Sequence, residues 1–264
     1  MLFRSDMLAL GARELAHQAF KLTPYGLTLV AEKIETYEDF QLAAAAGADL
    51  FQGYFFCRPH LIGGRRIPPS RLALMRLAST LQDPTIELAE LEPLISGDVA
   101  LSYRLLKYIN SAYFGLRGQI SSIKQAIALL GIEPLRRWAT LTIFAELGDK
   151  PRELFVTALI RAHFCQHAGT TQDGPEVELF TLGLFSVLDA LIDTSMDTAL
   201  QNLPLTPSMR DALSDHTGAG RLLDCVQAIE HGDFEQANQI LDDCSQHYLE
   251  SVAWSDDVAK QLIG

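Results

Sequence analysis

Only four cysteines, Cys57, Cys165, Cys225 and Cys244, occur in 264 residues, far apart and with no C-x-x-C pair. That excludes a disulfide-stapled scaffold and a zinc ribbon, and leaves small buried thiols as the expected reading. Long apolar runs are missing too. No stretch approaches the roughly 20 residues that a membrane-spanning helix needs, and residues 1–11 carry Arg4 and Asp6 where a signal peptide would have an unbroken apolar centre. The expectation is a cytoplasmic protein with no membrane segment. Glycine-rich phosphate loops are absent: Gly63-Gly64 and Gly218-Ala219-Gly220 have neither the Lys-Ser nor the strand-to-helix setting. Positive charge is scarce in the second half. From Asp149 onward there are 19 acidic and 6 basic residues, net −13, against net +1 for the residues before it and −12 for the whole chain. Duplex binding requires many Lys and Arg to neutralise phosphates, so nucleic acid is an unlikely partner.

What is present is a globular composition, 48% hydrophobic and 20% charged, in a length suited to one large domain or two ordinary ones. Residues 1–60 alternate: a strand over 1–9, a helix over 13–22, a buried strand over 26–31, a helix over 36–46 capped by Thr36, and an apolar stretch over 50–56. That β-α-β-α-β order is the grammar of a parallel sheet. Residues 61–69, with paired glycines and paired prolines, read as a linker. Beyond it, helices are expected over 72–81, 135–147, 152–168, 176–192, 196–203, 208–214, 220–231, 233–246 and 248–263, with a shorter acidic segment over 85–93 and no second strand region. The 135–147 helix is apolar nearly all round and is expected at the centre of the bundle. Residues 94–131 hold a helix pair. Ser96 or Asp98 caps the first, which stops near Asn110 to Gly115. Ser121 or Ser122 caps the second, whose apolar positions Ile123, Ala126, Ile127 and Leu130 share one face, and Gly131 ends it.

Within that pair, Asn110-Ser111-Ala112-Tyr113-Phe114-Gly115, followed by Ile120-Ser121-Ser122-Ile123, Ala126-Ile127 and Leu129-Leu130-Gly131, resembles the HDOD domain, a helical relative of HD phosphohydrolases. The resemblance implies a helical bundle used in bacterial signalling, with regulatory or signalling proteins as partners. Gly183-Leu184-Phe185-Ser186-Val187-Leu188-Asp189 stands where an active HD enzyme has Gly-Leu-Leu-His-Asp-x-Gly, so Ser186 and Val187 replace the metal-binding dipeptide. A valine offers a cation no lone pair, and a neutral serine is a poor first ligand.

Leu29-Val30-Ala31-Glu32-Lys33-Ile34-Glu35-Thr36 and Phe51-Gln52-Gly53-Tyr54-Phe55-Phe56-Cys57-Arg58-Pro59 resemble the last strands of the EAL domain, which hydrolyses cyclic di-GMP. That family is a (β/α) barrel with two divalent metals at the C-terminal ends of its strands. By resemblance, Glu32 matches the carboxylate that helps activate the attacking water. Gln52 matches the glutamine near metal and substrate, and Glu35 the nearby motif carboxylate. Arg4 stands where the family has a lysine, followed by Asp6. The namesake Glu-Ala-Leu strand, the metal-binding Asn with a second Glu, and the Asp-Asp pair have no counterpart. Glu32 and Gln52 alone cannot hold two hard cations against water.

Two further groups bear on chemistry. His163 and His167, at i and i+4, fall on one helix face and could begin a zinc site, with Cys165 between them. No Glu follows His163 as H-E-x-x-H requires, so two partly exposed polar histidines are expected. Arg104, Lys107, Arg117, Lys124, Arg136 and Arg137 form a basic cluster that could face an anionic partner or a phosphate ligand, with an ordinary solvated face as the plain alternative.

The expected architecture is thus mainly α: an HDOD-type helical bundle over residues 66–264, preceded by a small α/β remnant of an EAL barrel over residues 1–60. The expected function is non-enzymatic, with no catalytic residue, cofactor or metal. It works through protein contacts of the bundle and homodimerisation through the remnant. The alternative is a cyclic di-GMP phosphodiesterase or receptor, should a missing barrel half belong to the natural protein.

Overall fold

The apolar stretches of the first sixty residues become three parallel strands, β1 (Leu2–Asp6), β2 (Thr28–Glu32) and β3 (Leu50–Phe51), in the order β1-β2-β3. Arg4 lies opposite Val30, Asp6 opposite Glu32, and Val30 opposite Leu50. Parallel neighbours need crossovers, supplied by helices α1 (Met7–Leu22) and α2 (Tyr37–Ala45). Helix α2 starts where Thr36 dictates. The Thr36 hydroxyl accepts the Asp39 N–H at 3.1 Å while the Asp39 carboxylate accepts the Thr36 N–H at 3.1 Å, a reciprocal capping box. Leu15, Leu29, Ala31, Ile34 and Ala43 close the core of this unit, and the Phe40 ring packs on Phe51 and Phe55 at 4.7 and 4.9 Å.

Two expectations are corrected here. The first strand stops at Asp6 rather than running to residue 9, because the Asp6 carboxylate accepts the Ala9 N–H at 3.0 Å and so opens a helix. The third ends at Phe51 rather than at 56. Beyond it the chain folds around Ile34, whose N–H donates to the Gln52 carbonyl at 3.0 Å and whose carbonyl accepts the Phe55 N–H at 3.2 Å. Gly53 makes this turn possible, since a Cβ there would overlap the Ile34 backbone.

The computed structural model describes residues 2–60, 69–81, 86–110, 120–146, 150–170, 173–201 and 203–263, so the expected linker at 61–69 lies almost wholly outside the described residues. The chain divides into two compact units, Met1–Gly64 with Asp189–Ser195, and Arg65–Leu188 with Met196–Gly264. Among the described residues the second unit holds helices and no strand. In chain order the helices beyond residue 64 are α3 (Pro69–Leu81), α4 (Leu88–Ser96), α5 (Val99–Ile109), α6 (Ile123–Leu130), α7 (Ile132–Glu146), α8 (Arg152–Ala168), α9 (Glu176–Phe185), α10 (Leu188–Ile192), α11 (Met196–Leu200), α12 (Pro207–Ser214), α13 (Arg221–Glu230), α14 (Phe234–Ile240) and α15 (Cys244–Ile263).

The caps of the helix pair are Asp98, whose carboxylate accepts the Leu101 N–H at 3.0 Å, and Ser122, whose hydroxyl accepts the Gln125 N–H at 3.2 Å. Asn110 joins the two helices. Its amide donates to the carbonyls of Leu106 and Ile120, both at 2.8 Å, and its oxygen accepts the Ile120 N–H at 2.8 Å. One side chain thus bonds three backbone groups, tying the end of α5 to Ile120 ahead of α6.

Helix α7 buries Leu135, Trp138, Leu141 and Phe144 as expected of a core helix, yet α8 is more enclosed, packing against α9, α13 and α15. Helix α9 approaches α8 closely because residue 183 is glycine: a Cβ there would overlap the Arg161 carbonyl. The single helix expected over 176–192 is two. The Ser186 N–H splits between the carbonyls of Leu182 at 3.1 Å and Gly183 at 3.4 Å, and its hydroxyl donates to Gly183 at 2.7 Å, tightening the last turn of α9 until it ends. The helix expected over 233–246 likewise stops at Ile240. Asp243, in the left-handed region with φ 55, turns the chain, and α15 begins at Cys244.

Candidate functional site

The C-terminal ends of parallel strands are where an α/β sheet can gather side chains from several strands. In the first unit those ends carry Arg4 and Asp6 on β1, Glu32 on β2, and Gln52 one residue beyond β3. Arg4 spans all three strands. Its Nε hydrogen-bonds to Glu32 Oε1, and a terminal nitrogen donates to Gln52 Oε1 at 2.8 Å. Lys33 pairs with Asp6 at 2.5 Å, and the hydrogen bond and charge of that carboxylate raise the lysine pKa above its ordinary value. Lys33 itself sits at φ 57, a conformation costing a non-glycine residue about 1–2 kcal/mol. The turn it makes carries the chain from Glu32 to Ile34, which meets Gln52.

Of the three residues singled out by resemblance, Glu32 and Gln52 meet. Glu35 does not join them, and pairs instead with Arg58 at 3.3 Å. Arg4 is the unforeseen organiser, a cationic bridge rather than a lapsed lysine. Two carboxylates and one amide oxygen converge here, and each carboxylate is already matched by a fixed cation. Hard divalent ions take about six to eight oxygen ligands each, so these donors alone do not fit a two-cation centre.

In the second unit, the place of the missing His-Asp dipeptide is built around an ion pair. The Ser186 hydroxyl accepts from Arg161 Nη1 at 3.3 Å, and Arg161 forks onto Glu230 through Nε at 3.0 and 3.2 Å and Nη2 at 2.6 Å. The two charged side chains are only 6% and 2% exposed. Val187 is buried beside them. This donor set suits an internal guanidinium rather than a bound metal ion. Sequence reasoning missed the pair because its members lie 69 residues apart. The one local signal was an arginine amid the apolar residues of α8.

His163 and His167 do come together, their rings stacked at 3.9 Å with Trp254 on His163 at 4.7 Å. They are not alike, however. His163 is buried, contrary to the expectation of two partly exposed histidines, while His167 is exposed. The Ser251 hydroxyl donates to the His247 carbonyl at 2.7 Å, so the 3.0 Å contact between His163 Nδ1 and Ser251 Oγ assigns the proton to Nδ1. Burial, helped by the nearby charges of His167 and Arg137 and opposed by Glu250, lowers the His163 pKa to about 4. Burial also pushes the Cys165 thiol well up, which disfavours the thiolate a metal would need. Among the described residues no group of three or more His, Cys, Asp or Glu could hold a metal ion.

The basic cluster disperses. Arg104, Lys107 and Lys124 are exposed on α5 and α6, with Arg104 paired to Glu146. Arg136 is only 3% exposed, and Arg137 lies over the Phe180 ring at 5.1 Å, its pKa lowered chiefly by burial. Arg117 lies outside the described residues. The arginines of α7 are thus drawn inward, and the six do not form one exposed face.

Among proteins of known sequence, the family model that matches is the HDOD domain, over residues 67–203. Cyclic di-GMP phosphodiesterase CdgJ of Vibrio cholerae is 35% identical over 244 residues, covering 88% of this chain and 56% of that protein. Uncharacterized protein YuxH of Bacillus subtilis is 30% identical over 240 residues, covering 87% of this chain and 59% of that protein. The chain therefore spans little more than half the length of these curated relatives. No solved structure matches it. Residues 66–264 are three quarters of the chain, so a match over 88% must also take in part of the first unit. The expectation that the chain is no enzyme is overturned by the first of these relatives, which is named as a phosphodiesterase. The few ligands in this stretch do not exclude catalysis, because barrel enzymes assemble a centre from many strand ends and the relatives extend well beyond the region matched. Among the described residues no helix is long and apolar enough to cross a membrane.

Proposed function

Since this chain belongs to the HDOD domain family, we propose that it is part of a bacterial signalling protein that acts on cyclic di-GMP. In this reading the first unit is the closing section of an EAL-type barrel and the helical unit carries the signal to other regulatory proteins. The observation that supports it is the meeting of Arg4, Glu32 and Gln52 at three adjacent strand ends, in a chain 35% identical to a cyclic di-GMP phosphodiesterase over 88% of its length.

The chemistry suits a phosphodiester. Arg4 offers N–H donors in a planar fork that matches two anionic phosphate oxygens, and its present partners Glu32 and Gln52 hold it at the strand ends until a substrate competes for it. Glu32, released from part of that contact, is a carboxylate placed to accept a proton from water beside the phosphorus. Divalent metal would supply Lewis acidity in such a centre, but the donors described here do not complete its shell, and no step is assigned to it.

The test is hydrolysis of cyclic di-GMP with Mg²⁺ or Mn²⁺ by the natural protein carrying this chain. Glu32→Gln should slow turnover by about a hundredfold or more, the lower range for losing a positioned base, and Arg4→Ala should raise KM more than it lowers kcat. Unchanged hydrolysis by the Glu32→Gln protein would overturn the assignment. A cyclic di-GMP receptor is the second reading, and binding without turnover in the unaltered protein would select it.

A further inference from the structure

Lys33 does not suit the turn it makes. It follows Glu32 at the end of β2 with φ 57, a left-handed conformation that glycine adopts freely and that a long side chain disfavours. The turn uses that conformation to bring the Ile34 N–H to the Gln52 carbonyl at 3.0 Å; it has no use for a lysine. The ion pair with Asp6 is a poor reason for one. The lysine side chain is 62% exposed and the carboxylate 29%, and pairs so open to water contribute little. Strain kept at the edge of a site points to a use for the side chain that bears it.

The place of the ammonium supplies that use. Arg4 hydrogen-bonds to Glu32 from β1. Asp6, two residues further along the same face of β1 and opposite Glu32 in the register, holds Lys33 at 2.5 Å. The hydrogen bond and charge of Asp6 raise the lysine pKa, and the charge of Glu32 adds to them. Glu32 therefore has a cation on either hand, Arg4 bonded to it and Lys33 within reach of its charge.

We propose that Lys33 is a substrate-binding residue of the strand-end site, its ammonium meeting a non-bridging oxygen of the phosphodiester that Arg4 also holds. The inference rests on the reading of this site as one that acts on cyclic di-GMP, and adds a second cation to it. Charge makes the case. Arg4 alone would face Asp6 and Glu32 at net −1, which repels a phosphodiester; Lys33 brings the four side chains to neutrality. The two cations also differ in kind. The guanidinium is a planar fork that fixes orientation, and the ammonium is a point charge on a flexible stem that can follow the phosphate as it moves against Glu32. An ammonium carries three donors, so a phosphate oxygen can be met without breaking the pair with Asp6, and the exposure of the side chain leaves it open to a ligand.

The test is steady-state kinetics of the natural protein carrying this chain, with cyclic di-GMP and Mg²⁺. Lys33→Gly removes the ammonium and gives the turn a residue suited to its φ, so the variant folds. Its KM should rise by about tenfold or more, with kcat changing far less, the pattern of a contact made in both ground and transition state. The rise of KM with ionic strength should be shallower in this variant, because one screened contact has gone. Lys33→Arg, which keeps the charge, should hold KM near the wild-type value. A lysine that only braced β2 against β1 would lower the thermal midpoint on replacement and leave KM and its salt dependence unmoved. Where the unaltered protein binds without turnover, the same comparisons are made on Kd. Unchanged affinity in Lys33→Gly, or a loss in Lys33→Arg as large as in Lys33→Gly, would overturn this inference and leave the reading of the site intact. An unaltered protein that neither binds nor hydrolyses cyclic di-GMP would overturn that reading, and this inference with it.

Discussion

His163 shows how burial turns a common residue into a pH-sensitive one. Its pKa in the folded protein is about 4, against about 6.5 in an unfolded chain. Between those values the unfolded state binds a proton that the folded state refuses, so stability is lost as pH falls through this window and is fully present above pH 6.5. A shift of this size corresponds to about 3–4 kcal/mol. The groups that set it are His167 and Arg137, which disfavour the imidazolium, and Glu250, which favours it. Urea unfolding of the wild type and a His163→Gln variant from pH 7.5 to 4 should show a smaller acid loss in the variant; parallel profiles would contradict the account. Arg161 and Glu230 present the opposite case, two buried charges that satisfy each other. Arg161→Met should destabilise by about 3–5 kcal/mol because it strands Glu230, and the double change Arg161→Met with Glu230→Met should cost clearly less than the sum of the two single changes. The midpoints of denaturant unfolding measure both.

At the scale of elements, the helix boundaries that could be read beforehand are those with a side chain to announce them. Thr36, Asp98 and Ser122 each accept an N–H from the first turn of the helix they open; Thr36 was recognisable from its type and place, and Asp98 and Ser122 each as one of two candidates. Asp98→Ala and Ser122→Ala should each lower stability by about 1 kcal/mol, read as a shift in thermal midpoint, with the effects adding because different helices are capped. Two boundaries that escaped reading differ in cause, the first local and the second distant in sequence. Residues 176–192 keep an apolar pattern through the break at Ser186, and the break follows from how that residue shares its hydrogen bonds with Leu182 and Gly183. Strand β3 ends at Phe51 inside an apolar run because the chain must wrap around Ile34, seventeen residues earlier. Asn110 is an intermediate case. The helix was expected to stop between it and Gly115, but its tie to Ile120, ten residues on, required three dimensions.

For the whole molecule, periodicity was enough to separate a β-α-β-α-β opening from the helices that follow, and the resemblance of residues 110–131 was enough to point to the family whose model spans residues 67–203. Glu32 and Gln52 were singled out together only because their two motifs resemble those of one family. The role of Arg4 was not, since the register β1-β2-β3 brings it to both of them and no spacing in one dimension encodes that register. The basic residues make the same point in reverse. Six Arg and Lys gathered in sequence suggested a surface, yet α7 buries Arg136 and leaves Arg137 half-buried over the Phe180 ring. The order of amino acids settled which segments are helix or strand and where many of them start, because those outcomes depend on neighbours within a turn or two. Packing alone settled which charges meet and which histidine goes dry, because each depends on groups tens of residues apart brought into contact.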